Sequence, residues 1–270
     1  MQKYGLIGDP IAHSKSPQIQ NAALQACQIN GQYTLLNTPG EAITTIVERL
    51  RADNIAGFNV TTPFKQAIIP FVDSLDVSAA QIEAVNTVKN INGQWVGYST
   101  DGAGFWQSIP GDITGLNIAL IGAGGAAKAI ISACPSDVNL TVFNQLSPRF
   151  TSHQVELQRL FACELQPLTA LEPVLPTVDI LINATSVGLT DDQSILTLAE
   201  VGQLPPHALV IDLIYRQAQT TLMQAAVQTG HGVMGGLPML SHQGALSFTI
   251  WHDQPAPLTV MVAALTNDGV

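Results

Sequence analysis

The sequence is poor in charge. Asp, Glu, Lys and Arg make up only 11% of its 270 residues, with ten basic side chains against twenty acidic ones. A net charge of −10 argues against nucleic acid or an anionic membrane surface as partner. It also makes every lysine and arginine worth locating. Cysteine is scarce: Cys27, Cys134 and Cys163 are odd in number, far apart and in no metal-ligand spacing. No disulfide framework and no metal are expected, and a reducing cytoplasm is the expected compartment. No apolar run approaches the ~18–20 residues of a membrane span, and the first residues read as a strand rather than a basic and then apolar leader. Fixed-period repeats and low-complexity tracts are missing too. What is plentiful is apolar side chain, 46% of the chain, enough for a packed core in one large domain or two ordinary ones.

The first hundred residues alternate strand and helix patterns. Strands are expected over 4–7, 32–36 and 55–60, and helices over 17–27 and 42–51, the second with Ile43, Ile46, Val47 and Leu50 on one face. Asn92-Gly93 between the strand patterns 84–90 and 94–98 predicts a tight hairpin. Two loops carry chemistry. In Ser14-Lys15-Ser16-Pro17, Ser16 reads as a helix N-cap followed by proline at the first helical position, while Ser14 and Ser16 beside Lys15 suit a small anion or polyol. In Asn59-Val60-Thr61-Thr62-Pro63-Phe64-Lys65, proline stops the strand near Thr62 and leaves Lys65 beyond its carboxyl end. α/β proteins place ligand-binding groups there, and a cation is mildly disfavoured at a helix start, so Lys65 is the candidate for chemistry. Asp101-Gly102 reads as a turn or cap after the hairpin.

The texture changes near Pro110. An apolar strand over 116–121 runs into Gly122-Ala123-Gly124-Gly125-Ala126 and a helix of small residues. Glycines at this strand–loop–helix junction allow close backbone approach to a pyrophosphate facing the helix N-terminus, the dinucleotide fingerprint. The next strand, 140–143, ends at Asn144-Gln145-Leu146-Ser147-Pro148-Arg149. It offers no acid for a ribose 2′-hydroxyl and one cation, Arg149, for a 2′-phosphate, which favours NADP over NAD. Further strands over 178–182 and 209–213 and a short one at Val233 complete the unit. In the final helices Gln243 shares an apolar stripe with Leu240 and Leu246.

In order along the chain stand Gly5-Leu6-Ile7-Gly8-Asp9-Pro10, Ser14-x-Ser16-Pro17, Asn59 to Lys65, Asn86-Thr87, Thr100-Asp101-Gly102 and the Gly122 to Ala126 loop. After them come Asn183-Ala184-Thr185-Ser186-Val187-Gly188, Asp212-x-x-Tyr215 and Gly236-x-x-Met239-Leu240-x-x-Gln243. With these motifs the chain resembles the shikimate dehydrogenase family from end to end. The resemblance implies an α/β protein: an N-terminal three-layer α/β substrate domain with a mostly parallel sheet, residues 1–103 with 238–270, plus a Rossmann nucleotide-binding domain, residues 104–237. It implies NADP-linked interconversion of 3-dehydroshikimate and shikimate in aromatic amino acid biosynthesis, by a monomer or homodimer. Lys65 and Asp101 would be the catalytic pair, with Asp101 orienting Lys65 and keeping it charged. Ser14, Ser16 and Tyr215 would hold the substrate carboxylate, and Thr61, Asn86 and Gln243 the ring hydroxyls. Gly122, Ala123, Gly124, Gly125, Ala126, Asn144, Arg149, Thr185, Leu213 and Gly236 would line the nucleotide. Two departures stand out. The family's Asn-Arg-Thr clamp for the 2′-phosphate reads Asn144-Gln145-Leu146, which leaves room for NAD, and Gln217 replaces a family proline near Tyr215. A quinate/shikimate enzyme using NAD or both nucleotides, and a non-catalytic nucleotide-sensing relative, are the competing readings.

Overall fold

The computed structural model describes residues 1–215 and 219–266, so Gln217 lies outside the described residues. In chain order the first half runs β1 (Gln2–Gly8), α1 (Ser16–Ala26), β2 (Gly31–Asn37), α2 (Ile43–Ala52), β3 (Gly57–Val60), α3 (Phe64–Ala67), β4 (Ser74–Leu75), α4 (Val77–Ile82), β5 (Thr87–Ile91), β6 (Gln94–Tyr98) and α5 (Asp101–Ser108). The second runs β7 (Asn117–Ile121), α6 (Gly125–Ser132), β8 (Asn139–Asn144), α7 (Phe150–Phe161), β9 (Leu165–Pro167), β10 (Ile180–Asn183), α8 (Leu198–Val201), β11 (Leu209–Asp212), α9 (Thr221–Gln228), β12 (Gly232–Met234), α10 (Leu237–His252) and α11 (Leu258–Thr266). The chain divides into two compact units, Met1–Gln107 with Leu240–Val270, and Ser108–Met239.

The first unit is built on a six-stranded sheet in the order β2-β1-β3-β5-β6-β4. β1 pairs in parallel with β2 and β3, as expected, but β5 runs antiparallel to both β3 and β6. The β5–β6 part of that break is the Asn92-Gly93 hairpin. Asn92 and Gly93 take φ of 54° and 92°, the pair of left-handed residues that a two-residue turn between twisted strands requires. One face of this sheet is covered by α2 through Ile46, Val47 and Leu50, in a core with Ile7, Phe58, Val88 and Trp95.

Trp251 and His252 at the end of α10 pack on residues of β1 and β3. The Trp251 ring lies 5.1 Å from Tyr4 and 6.0 Å from Tyr33, and its indole N–H donates to the Val88 carbonyl at 2.9 Å. A Cβ on Gly57 would come within 2.4 Å of that indole, so the absent side chain is what lets it seat. His252 stacks against Phe248 and Tyr4, and its Nε2 is buried with no hydrogen-bond partner. Burial, reinforced by Lys89, holds its pKa down at about 4. An unfolded histidine titrates near 6.5, so protons bind the unfolded chain first. Stability is therefore expected to be full above about pH 6.5 and to decline as pH falls toward about 4, with a flatter decline in His252→Phe; denaturant titrations at several pH values check this.

The second unit carries a wholly parallel sheet, β12-β11-β10-β7-β8-β9. Its strands read as unbroken apolar runs because both faces are covered, with Leu120, Ile121, Leu181, Ile182, Val210 and Ile211 buried. The order departs from β7 in both directions. That makes the β7–β10 junction the switch point at which open α/β sheets bind ligands. No helix among the described residues is long and apolar enough to cross a membrane, and no group of three or more metal-ligating side chains occurs among them.

Candidate active site

In the first unit the strand directions bring separated motifs to one sheet edge. Thr61 and Lys65 follow β3, Asn86 directly precedes the antiparallel β5, and Asp101 follows β6; the register Asn59↔Thr87 and Thr87↔Tyr98 aligns these ends. Lys65 Nζ and Asp101 Oδ2 meet at 2.6 Å, although 36 positions part them in sequence. Both are partly sheltered, at 27% and 13% side-chain exposure, so the pair is less screened than a surface ion pair while the ammonium stays accessible. Of the turn or cap that its Asp-Gly context suggested, Asp101 takes up a place at a helix start. It is the first residue of α5, where the helix dipole favours a carboxylate.

Asn86 completes the pair. Its amide donates to Asp101 Oδ1 at 2.8 Å and to Thr100 Oγ1 at 2.9 Å, and its Oδ1 accepts from the Thr100 backbone N–H at 2.9 Å. Gln243 on α10 joins through Oε1, 3.4 Å from the Asn86 amide and 3.5 Å from Thr100 Oγ1, while its own amide donates to the Leu240 carbonyl. α10 reaches this edge because residue 104 is glycine. A Cβ there would stand 2.5–2.7 Å from Gln243 N, Cα and Cβ.

Ser16 does not cap α1. It is the helix's first residue, Lys15 holds the cap position, and no side chain caps the helix. With Pro17 bringing no N–H that needs an acceptor, the Ser16 hydroxyl is spent elsewhere: it accepts from Ser14 Oγ at 3.1 Å and hydrogen-bonds Tyr33. Tyr33 is fully buried, which pushes its phenol well above the ordinary range, and it donates to Asn59 Oδ1 at 2.8 Å. Thr61 takes its place by donating its backbone N–H to the Ile7 carbonyl. Its methyl covers Gly8, where a Cβ would come within 2.3 Å. Asn59, Tyr33, Thr87, Thr100 and Ser247 were not marked as functional from sequence. The available signal was a polar residue inside an apolar strand, as with Asn59 beside Phe58 and Val60. Tyr215 lies three residues beyond β11 in the second unit, 39% exposed.

In that unit every residue assigned to a nucleotide from sequence leaves the carboxyl edge of the parallel sheet. Gly122 to Ala126 follow β7, Asn144 ends β8 and Arg149 follows it, Thr185 follows β10, Leu213 follows β11 and Gly236 follows β12. Gly122 has φ +124° and lies against the Ala184 carbonyl; a side chain there is strained and obstructed. Gly124 and Gly125, at the N-terminus of α6, have nothing within 4 Å of where a Cβ would stand, an open cradle in front of free helix N–H groups. Ala123 is buried and Ala126 half-buried beside them. Thr185 bonds Asn183 Oδ1 through both its N–H and hydroxyl, and Asn183 in turn donates to the buried Asp212 carboxylate. A Cβ on Gly236 would strike the Leu213 carbonyl, so those two strand exits touch. Arg149 is exposed at the N-cap of α7, and the Asn144 amide lies 3.4 Å from His153 Nδ1.

A Rossmann-type sheet with an open glycine turn, in a chain that also holds a lysine–aspartate pair among amides and hydroxyls, defines a nucleotide-linked oxidoreductase. Residues 6–88 match the shikimate dehydrogenase substrate binding domain, and residues 236–266 the shikimate 5′-dehydrogenase C-terminal domain. A shikimate dehydrogenase (NADP(+)) from Shouchella clausii is 38% identical over 258 residues, 93% of this chain and 92% of the relative. The chain belongs to the shikimate dehydrogenase family. Among solved structures, the Thermus thermophilus enzyme in complex with NADP(H) and shikimate superposes with a TM-score of 0.86 at 32% identity, over 98% of this chain and 99% of that one. The Listeria monocytogenes enzyme in complex with shikimate and NAD gives 0.84 at 28%, over 98% and 96%.

Proposed function

We propose that this protein catalyses the reversible NADP-linked reduction of 3-dehydroshikimate to shikimate in aromatic amino acid biosynthesis, as a cytoplasmic monomer or homodimer. The observation that carries the reading is the Lys65–Asp101–Asn86 constellation at one sheet edge. Bound NADPH supplies the hydride. As negative charge grows on the ketone oxygen, the Lys65 ammonium stabilises it and donates a proton from Nζ, leaving a neutral amine that water reprotonates. Asp101 aims Lys65, and Asn86 aims Asp101. Asn86, Thr61 and Gln243 offer amide and hydroxyl partners to the ring hydroxyls. The Ser14 and Ser16 hydroxyls, with Tyr215, hold the carboxylate without an arginine, which an acidic protein with few cations requires. The open cradle at Gly124 and Gly125 fits a pyrophosphate, and Arg149 is the cation offered to the 2′-phosphate.

A steady-state assay crossing shikimate and quinate with NADP and NAD tests this. Turnover of shikimate with NADP is expected; turnover of neither acid would point to a nucleotide sensor. A second reading, with NAD used as well, is favoured by the exposed Gln145 and Leu146 where the family resemblance implies a cationic clamp. Arg149→Ala separates the two. It is expected to weaken NADP binding by roughly 10–100-fold, the worth of one charge-assisted contact, and to leave NAD binding unchanged in calorimetric titrations.

A further inference from the structure

We infer that Thr87, which touches neither member of the ion pair, positions the reaction machinery by fixing the Asn86 amide; the inference rests on the proposed reaction. Thr87 is completely buried, as is Ser247 on α10. Hydroxyls in such a place are costly unless paired, and an apolar residue of the same shape would be the cheaper choice for stability alone. One hydrogen of the Asn59 amide faces the Asn86 backbone carbonyl at 3.1 Å, which can only accept. The same amide nitrogen lies 3.0 Å from both Thr87 Oγ1 and Ser247 Oγ, and those two oxygens are 2.8 Å apart. Ser247 gives its own proton to the Gln243 carbonyl at 3.0 Å, and Thr87 Oγ1 donates to Asn86 Oδ1, an oxygen that can only accept, at 2.9 Å.

That bond decides what Asn86 presents. Its oxygen is held by the Thr87 hydroxyl and the Thr100 backbone N–H, so its amide hydrogens must face Thr100 Oγ1 and Asp101 Oδ1. A tilted amide would release Asp101, and Lys65 would lose its aim. The direction of transmission thus runs from Asn59 through Thr87 to Asn86, then to Asp101 and Lys65.

The test is Thr87→Val, which keeps the shape and removes the proton, beside Thr87→Ser, which restores it. In Thr87→Val, kcat for shikimate is expected to fall about tenfold, the weight of one hydrogen bond, and KM to rise with it because Asn86 also meets the ring hydroxyls. The solvent deuterium isotope effect on kcat is expected to rise, because proton transfer becomes more rate-limiting. Thr87→Ser is expected to return both toward wild type. A purely structural role would lower the melting temperature but leave the isotope effect alone; that result, or failure of serine to rescue, overturns the proposal. Should Thr87→Val not fold, Thr87→Ala removes the same proton and must raise the same isotope effect, and no change in it overturns the proposal equally. Wild-type protein inactive on every substrate pair would overturn the functional reading itself, whereas an active wild type with an unaltered Thr87→Val sinks only this inference.

Discussion

Replacing Lys65 with alanine is expected to lower kcat for shikimate oxidation by about 10³–10⁴-fold, combining loss of the general acid–base group with loss of charge stabilisation at the developing oxyanion. Nucleotide affinity should not move, because every residue assigned to the nucleotide lies in the other unit, at the carboxyl edge of its own sheet. Asp101 stays anchored in the variant by the 2.8 Å bond from Asn86 and by its place at the start of α5, so the site keeps its shape. Pre-steady-state turnover and a fluorescence titration with NADPH distinguish the outcomes. Full turnover with weakened nucleotide binding would contradict the assigned roles.

Trp251→Ala carries the largest expected effect on stability. The ring is 7% exposed, meets Tyr4 and Tyr33, covers Gly57 and satisfies the Val88 carbonyl. Removing a buried aromatic of this kind costs about 3–5 kcal/mol, because the transfer term and the cavity add. For a chain of this size that corresponds to a fall of roughly 6–20 °C in the melting temperature, read by scanning calorimetry. Trp251→Phe should lose less, since it keeps most of the volume and gives up the indole N–H. A loss under ~1 kcal/mol for Trp251→Ala would show that α10 is not anchored at this point.

The features legible in the sequence were those whose cause is local. Gly122 to Ala126 follow an apolar strand and precede a small-residue helix, and Asn92-Gly93 satisfies a turn that almost only such residues fit. Lys65 stood out because proline and hydroxyl residues precede it, although its pairing with Asp101 rested on the family resemblance. What was misjudged depended on neighbours distant in sequence. Ser16-Pro17 has the composition of a cap, yet the serine hydroxyl turns to Ser14 and Tyr33. Asp101-Gly102 reads equally as a turn or a cap, and only the approach of α10 to Gly104 makes sense of the helix that begins there. Thr87 and Ser247, 160 positions apart, have no local signature at all. β4 and β9, two and three residues long, are too short for a periodic pattern to emerge.

The all-parallel sheet has a practical corollary for anyone wishing to instrument this molecule. Since the loops assigned to the nucleotide leave one edge, the turns entering β7 and β8 at the other edge, around Gly115 and Asp137, are remote from them along every strand. Gly115 has open space where a side chain would begin, and the Gly115 N–H meets the Asp137 carbonyl at 2.7 Å. A fluorophore or short peptide tag grafted at Asp137 would therefore leave the nucleotide loops undisturbed, as a handle at the quiet end of the sheet.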